Sequence, residues 1–446
     1  MRFLTLAFIL VTALAVAARA DVAITNVTLI DGTGGPAQPG VTVVTNGARI
    51  AAVGADVKIP RGMKRIDGTG KFLMPGLMDM HIHLIGAGQW RGLANPPGVA
   101  IDRDAALAYL HSYLYWGVTS VYDAGNVPDL ILDLRAQERA GKIVSPRIFA
   151  TGRALSYPGS WMAGTFHGVG VPDWPETQQV LDEQIAAQPD VQKLVMERFG
   201  LGPNPLAPHL PEDLMAKMVA YLHDHGVRTV IHASGEAFQR AALDAGIDSF
   251  AHPLGSARLT PEFTQRLAAS QTPIATTMAV YDEIIRLGED ASYLDDPLFT
   301  SVLSADEIAA RKAQGPSRYA ALGWTGWFKA LMPYYRENVR KLHGAGAVLV
   351  LATDRSEGPM LHRELELLAD VGIPPAAIVR MGTLNGAVFL GRAADLGTVA
   401  PGKFADLLLL EADPTVDVRN MRRIAWVMKG GRIVDRAKLN VAANKR

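Results

Sequence analysis

The segment MDMHIHL places His81 and His83 two residues apart on an apolar run. In a β-strand that spacing turns both imidazoles to one face, where a divalent cation would offset the cost of burying them together. A lone His-x-His pair also has ordinary structural explanations, so its weight depends on partners further along the chain. Lys193 lies in VQKLVME, His232 ends VIHAS, His252 ends FAHPL and Asp354 closes VLATD, each within or just after an apolar, strand-like run. The chain contains no cysteine, which excludes thiolate catalysis and Cys-bound zinc. A metal here must be held by nitrogen and oxygen. Taken singly, His232 and His252 read equally well as satisfied core histidines, and Lys193 as a lysine reaching from a strand to water.

These residues need a scaffold that brings separate strands to one rim. Between about residues 72 and 390, apolar strand-like runs alternate with helix-like segments, the pattern of an α/β fold with a parallel sheet. Eight such runs occur in order: LMPGLMDMHIHL, TSVYDAG, PRIFATG, VQKLVME, RTVIHA, DSFAHP, TPIATTMAV and AVLVLATD. Eight is the number that closes a (β/α)8 TIM-like barrel, whose active sites lie at the C-terminal ends of the strands. Intervening stretches such as AALAYLHSYLYWG and PEDLMAKMVAYLHDHG read as helices ending at glycine. Outside the barrel, residues 21–71 and 391–446 carry short alternating strands broken by glycine-rich turns. Each is too small to stand alone, so the two ends are expected to pair as one discontinuous β-sandwich.

Three loops exceed what a barrel requires. They follow strand one (GAGQWRGLANPPG), strand three (ALSYPGSWMAGTFHGVGVPDW) and strand seven (roughly 282–343). Their aromatics Trp90, Tyr157, Trp161, Phe166, Trp174 and Tyr281 are candidates for the walls of a substrate pocket. The helical stretch at 306–340, with Trp324, Trp327 and Phe328, is a candidate lid or subunit contact, leaving a homo-oligomer open. Tyr281 and His167 are placed to donate hydrogen bonds to a substrate carbonyl, and Arg355 to grip a substrate carboxylate. His111, His209, His223, His225, His343 and His362 read as surface or helix residues.

Residues 1–20 have a basic start at Arg2, an apolar core and an Ala18-Arg19-Ala20 ending, the layout of a secretory signal peptide cleaved before Asp21. Export to the periplasm or medium is therefore expected, with no membrane attachment after cleavage. Losing Arg2 and Arg19 leaves 42 basic and 44 acidic side chains, a formal charge of −2. That balance offers nothing to attract nucleic acid or anionic lipid, and a small molecule is the expected partner.

Across the mature chain the sequence resembles the amidohydrolase superfamily, in its imidazolonepropionase-like and Xaa-Pro dipeptidase (prolidase-like) branch. The likeness rests on PGLMDMHIHL, GVTSVYDAG, the Asp354 that ends strand eight, and the tail TLNGAVFLGRAADLGTVAPGKFADLLLL. The segment YPGSWMAGTFHG departs from the Gly-Gly-His-Gly type found in prolidase-like relatives, and Arg355 stands where relatives usually carry a small residue. The resemblance implies a binuclear centre of two divalent ions, zinc foremost. His81, His83 and Asp354 would hold one ion and His232 and His252 the other, with an N-carboxylated (carbamylated) Lys193 bridging them. It further implies an amide or peptide hydrolase, in effect a metallopeptidase, that uses activated water with Asp354 as proton carrier. A dipeptide or N-acyl amino acid is the expected substrate. Ester or lactone hydrolysis on the same centre stays open. So does a one-metal deaminase, for which Glu236 sits one place too far along, and so does a binding module with a structural metal.

Overall fold

The computed structural model describes residues 21–84, 102–165, 167–199, 202–203 and 206–445. The signal-like segment, Trp90 with most of its loop, and Phe166 lie outside the described residues. No helix among the described residues is long and apolar enough to cross a membrane.

The centre is a TIM-like (β/α)8 barrel. Its strands run Leu77–Ile82, Val118–Asp123, Arg147–Ala150, Gln192–Met196, Thr229–Ala233, Ser249–Phe250, Ile274–Ala275 and Leu349–Val350. Strands one to three pair in parallel, as do strands four to eight. Two seams close the circle. Between strands three and four, Asp190 N–H donates to the Ala150 carbonyl at 2.9 Å and Lys193 N–H to Thr151 Oγ1 at 2.8 Å. Between eight and one, Met80 N–H donates to the Leu351 carbonyl at 3.1 Å, and Ile82 bridges Arg355 in parallel. The helices Arg103–Tyr115 and Glu212–Asp224 stop just before Gly117 (φ +84°) and Gly226 (φ +72°), left-handed positions that glycine takes without strain.

The chain ends do pair, but as one continuous hydrogen-bonded sheet. Its order runs Arg432–Ile433, Ile424–Lys429, Leu407–Leu410, Phe72–Pro75, Val22–Leu29, Gln38–Asn46 and Arg49–Gly54, with Lys64–Asp67 also on Val22–Leu29. Phe72–Pro75 thus belongs to this sheet, although the apolar run LMPGLMDMHIHL reads as a single barrel strand. The run breaks at Gly76, where a Cβ would fall 2.1 Å from Thr119 Oγ1, so only glycine lets the backbone step from sheet to barrel. Alternation then divides one strand between two cores. Leu407 and Leu409 pack with Ile24, Val43 and Ile50, while Leu408 and Leu410 join the barrel core.

The long connection after strand seven is mostly helical: Met278–Glu289, Pro297–Thr300, and then Ala305–Ala321 and Trp324–Gly344, which span the stretch at 306–340 read as helical. Ser304 opens the third helix by accepting the Glu307 N–H at 3.1 Å, the Ser-x-x-Glu start that satisfies an end-of-helix donor. Trp324 and Phe328 of the last helix are buried, whereas Trp327 is 37% exposed.

Candidate metal centre

Strand one presents His81 and His83 to the barrel mouth, and backbone carbonyls set their tautomers. His81 Nδ1 donates to the Ala251 carbonyl at 3.2 Å, and His83 Nδ1 to the Gly125 carbonyl at 2.8 Å. A carbonyl can only accept, so each ring keeps its proton on Nδ1 and a lone pair on Nε2. Those two Nε2 atoms are 3.4 Å apart. Asp354 Oδ1 lies 3.6 Å from the first and 3.4 Å from the second. Two lone pairs and a carboxylate held this close repel one another unless a cation lies among them. His81 is buried and pushed well below the usual histidine range by that burial, then by Lys193, His252 and His83, so protonation does not relieve the repulsion. The donor set therefore fits a divalent ion.

Asp354 is held there by the backbone. Its φ is +56°, a left-handed conformation that aspartate tolerates better than most residues, and its N–H donates to the His81 carbonyl at 2.7 Å. Behind this turn Asp79 accepts Thr353 Oγ1–H at 2.7 Å, Thr353 N–H at 3.1 Å and His81 N–H at 3.3 Å. One buried carboxyl thus ties the strand carrying His81 to the turn carrying Asp354.

Across the mouth, His252 stands 4.8 Å from His81 and 4.7 Å from His232, ring centre to ring centre. His252 Nδ1 pairs with Thr277 Oγ1 at 2.8 Å, which leaves the Nε2 nitrogen to face the group. His232 Nε2 donates to Glu197 Oε2 at 2.9 Å, which leaves Nδ1. Lys193 Nζ reaches 3.5 Å from His81 Nε2. Burial pushes its amine down to about 7, with Asp354 pulling the other way, so much of it is uncharged near neutrality. All six residues singled out in the sequence meet at one rim.

The other expectations divide. His167 lies beside this group, its ring 5.6 Å from His83. It is pushed down to about 3, by burial first and then by His83 and Lys193, and is neutral at ordinary pH. Tyr281 lies in the first turn of the helix after strand seven and packs 4.7 Å from both Phe328 and Tyr335. Arg355 is elsewhere: it is 5% exposed and forms an ion pair with the fully buried Glu283. The cause is register. Arg355 bridges Ile82, the residue between the two histidines, and so shares the face that points away from them. Glu236 accepts from Thr260 N–H and Oγ1–H at 3.0 and 2.8 Å and pairs with Arg240, outside the group of ligands. His362, read as a surface or helix residue, is on a helix but buried, bonded to the Trp116 carbonyl at 2.8 Å.

Sequence reasoning missed Glu197, Thr277 and Asp79, which orient ligands without resembling them. Glu197 had one signal, its place four residues beyond Lys193 at the end of a strand. Next to His232 and His252 opens a cleft walled by Trp161, Tyr281, Phe328 and Tyr335. Trp174 lies apart from it, against Tyr221 at 5.5 Å, and Tyr157 packs on the barrel core.

Comparison with known proteins agrees with this geometry. A family model described as the amidohydrolase family matches residues 72–434. An imidazolonepropionase of Chloroflexus aggregans is 24% identical over 420 residues, covering 88% of this chain and 90% of its own. The crystal structure of a Xaa-Pro dipeptidase with methionine in its active site matches with a TM-score of 0.71 at 20% identity, covering 93% of this chain and 99% of that one. A prolidase complexed with N-methylphosphonate-L-proline gives a TM-score of 0.75 at 19% identity, with the same coverages; at these identities the structural likeness speaks for the fold. The chain belongs to the amidohydrolase family, and is a hydrolase of carbon–nitrogen bonds from a family that uses divalent metals.

Proposed function

We propose that this protein hydrolyses the amide bond of a small molecule at a centre built for two divalent ions. His81, His83 and Asp354 would hold one ion, and His232 and His252 the other. Lys193, carboxylated on Nζ, would serve both. Zinc suits this nitrogen and oxygen donor set, as do manganese, iron and cobalt. When bound, such ions polarise a carbonyl oxygen and lower the pKa of water toward neutrality. The single observation that carries the reading is the convergence of His81 Nε2, His83 Nε2 and Asp354 Oδ1 within 3.4–3.6 Å of one another.

The remaining work falls to the chain's own groups. Lys193, as a free neutral amine, adds to carbon dioxide and loses one proton, which exchanges an uncharged group for an anionic carbamate with two donor oxygens. Asp354 accepts the proton of the attacking water and returns it to the departing nitrogen. His167, being neutral, donates from a ring N–H, and Tyr281 from its hydroxyl, so both are candidates to steady the carbonyl oxygen. The placement of Glu236 against Thr260 and Arg240 weighs against a deaminase that would use it beside His232. The dipeptide or N-acyl amino acid expectation loses its anchor with Arg355 in an ion pair, so small amides in general are the proposed class.

Elemental analysis of the purified protein, run beside an amide, ester and lactone panel, tests this reading. Two ions per chain are expected, with amide turnover lost on chelation and regained on adding metal with bicarbonate. One ion per chain with full amide turnover would overturn the binuclear centre. We also propose export from the character of residues 1–20. A mature N-terminus at Asp21 in the exported fraction is the expected result, and an intact Met1 in the cytoplasm the contrary one.

A further inference from the structure

The cleft beside His232 and His252 has a composition that bears on the substrate. Trp161, Phe199, Tyr281, Trp327, Phe328 and Tyr335 supply most of its wall. Phe199 and Trp327 are 44% and 37% exposed, so apolar surface continues out to solvent. Among the described residues lining it, none is lysine or arginine, and the one acid is Glu197.

Glu197 is fully engaged. Oε1 accepts the N–H groups of Arg198 and Phe199, both at 2.7 Å, and Oε2 accepts from His232 at 2.9 Å. It offers no free oxygen to a cationic substrate, and its charge repels an anionic one. The arginine nearest in sequence to the catalytic turn, Arg355, is committed to Glu283 on the opposite face of strand eight. An amino-acid carboxylate held in this cleft, beyond reach of the metal centre, would lose its water and meet aromatic rings and an acid, with no lysine or arginine among the described lining residues to replace what it lost. A neutral aromatic or branched apolar group would instead gain from burial.

From this composition we infer that the substrate presents a neutral, aromatic-sized apolar group to the cleft and carries no free carboxylate next to the scissile amide. The inference rests on the amide-hydrolase reading of the same centre, and the test separates the two. N-acetylphenethylamine and N-acetyl-L-phenylalanine share the scissile bond and the phenyl ring and differ only in the carboxylate. The metal-loaded enzyme is expected to show kcat/KM at least about tenfold higher for the neutral member.

The ketones in which a methylene replaces the amide N–H of each compound cannot be hydrolysed at that bond, and calorimetry reads their binding directly. The neutral ketone is expected to bind at least about tenfold more tightly than the keto acid, and Trp327→Ala to weaken it several-fold. Trp327 is exposed, so this variant is expected to fold. Equal or tighter binding of the keto acid, or neutral binding indifferent to Trp327→Ala, overturns the inference while leaving the amide-hydrolase reading intact. If the ketones discriminate as expected but neither amide is cleaved, the cleft's preference stands and the reaction reading fails.

Discussion

Glu197 accepts the Nε2 proton of His232 at 2.9 Å, and in doing so decides which nitrogen His232 has left for a metal. Such partners are worth roughly 10–100-fold in metal affinity. Glu197→Ala is therefore expected to raise the chelator sensitivity of the enzyme by a factor in that range while the far-ultraviolet circular dichroism stays unchanged. Unaltered metal release in competition with a chromophoric chelator would count against this role.

Asp354 combines a left-handed backbone with the proposed proton transfer. Asparagine is also well tolerated at φ +56°, so Asp354→Asn should preserve the fold and test the chemistry. Turnover is expected to fall by roughly 10²–10⁴, the range for loss of general acid–base help, with the histidine-bound metal largely retained. The paired readouts are kcat and the metal-to-protein ratio.

The ion pair of Arg355 with Glu283 belongs to a buried cluster in which Arg311 also reaches Glu357 at 2.6 Å and Glu283 at 3.5 Å. Removing one member strands its partner's charge, a loss of roughly 3–5 kcal/mol. Glu283→Ala should lower the stability read from urea unfolding by that amount, and Glu283→Ala combined with Arg355→Met should recover a large part. A double variant no more stable than the single one would show that the pair is not the source of the effect.

Burial pushes the Glu364 carboxyl up to about 7, against its hydrogen bonds with Thr276 and the backbone of Met278 and Ala279. An unfolded glutamate titrates near ~4.3. Between those values the folded chain holds a proton that the unfolded chain has released. The group's favourable contribution is therefore complete below the lower pKa and is lost as pH rises toward 7. Glu364→Gln should remove this slope and gain on the parent by an amount on the order of 3 kcal/mol above pH 7. Melting temperatures of both proteins between pH 5 and 8 read it directly, and parallel curves would refute it.

The sequence made most of the barrel legible because each strand is a short apolar run and the candidate ligands sit in or just beyond such runs. His81, Lys193, His232, His252 and Asp354 announce themselves by type and place. Three features escaped for one shared reason, that each depends on a residue far away in the chain. The break at Gly76 is set by Thr119, the fate of Arg355 by Glu283, and the value of Glu197 by His232. The terminal strands were recognised as partners, but the joining of both ends into one hydrogen-bonded sheet depends on Phe72–Pro75 pairing with Leu407–Leu410, a register no local pattern reports. After strand seven the helical stretch at 306–340 was legible despite Pro316 and Pro333 in the helix interiors, whereas Met278–Glu289 was not.

The pairings of Arg355 with Glu283 and of Arg311 with Glu357 stake the excursion between strands seven and eight to the barrel from below. To swing open, the excursion would have to strand the charges of the buried Glu283 and Glu357, a cost that favours a fixed wall over a door. Among the described residues lining the cleft, Phe199 and Trp327 are the exposed rings, and exposed side chains reorient in picoseconds to nanoseconds. Admission at this side then turns, among the described residues, on shape and polarity at the threshold.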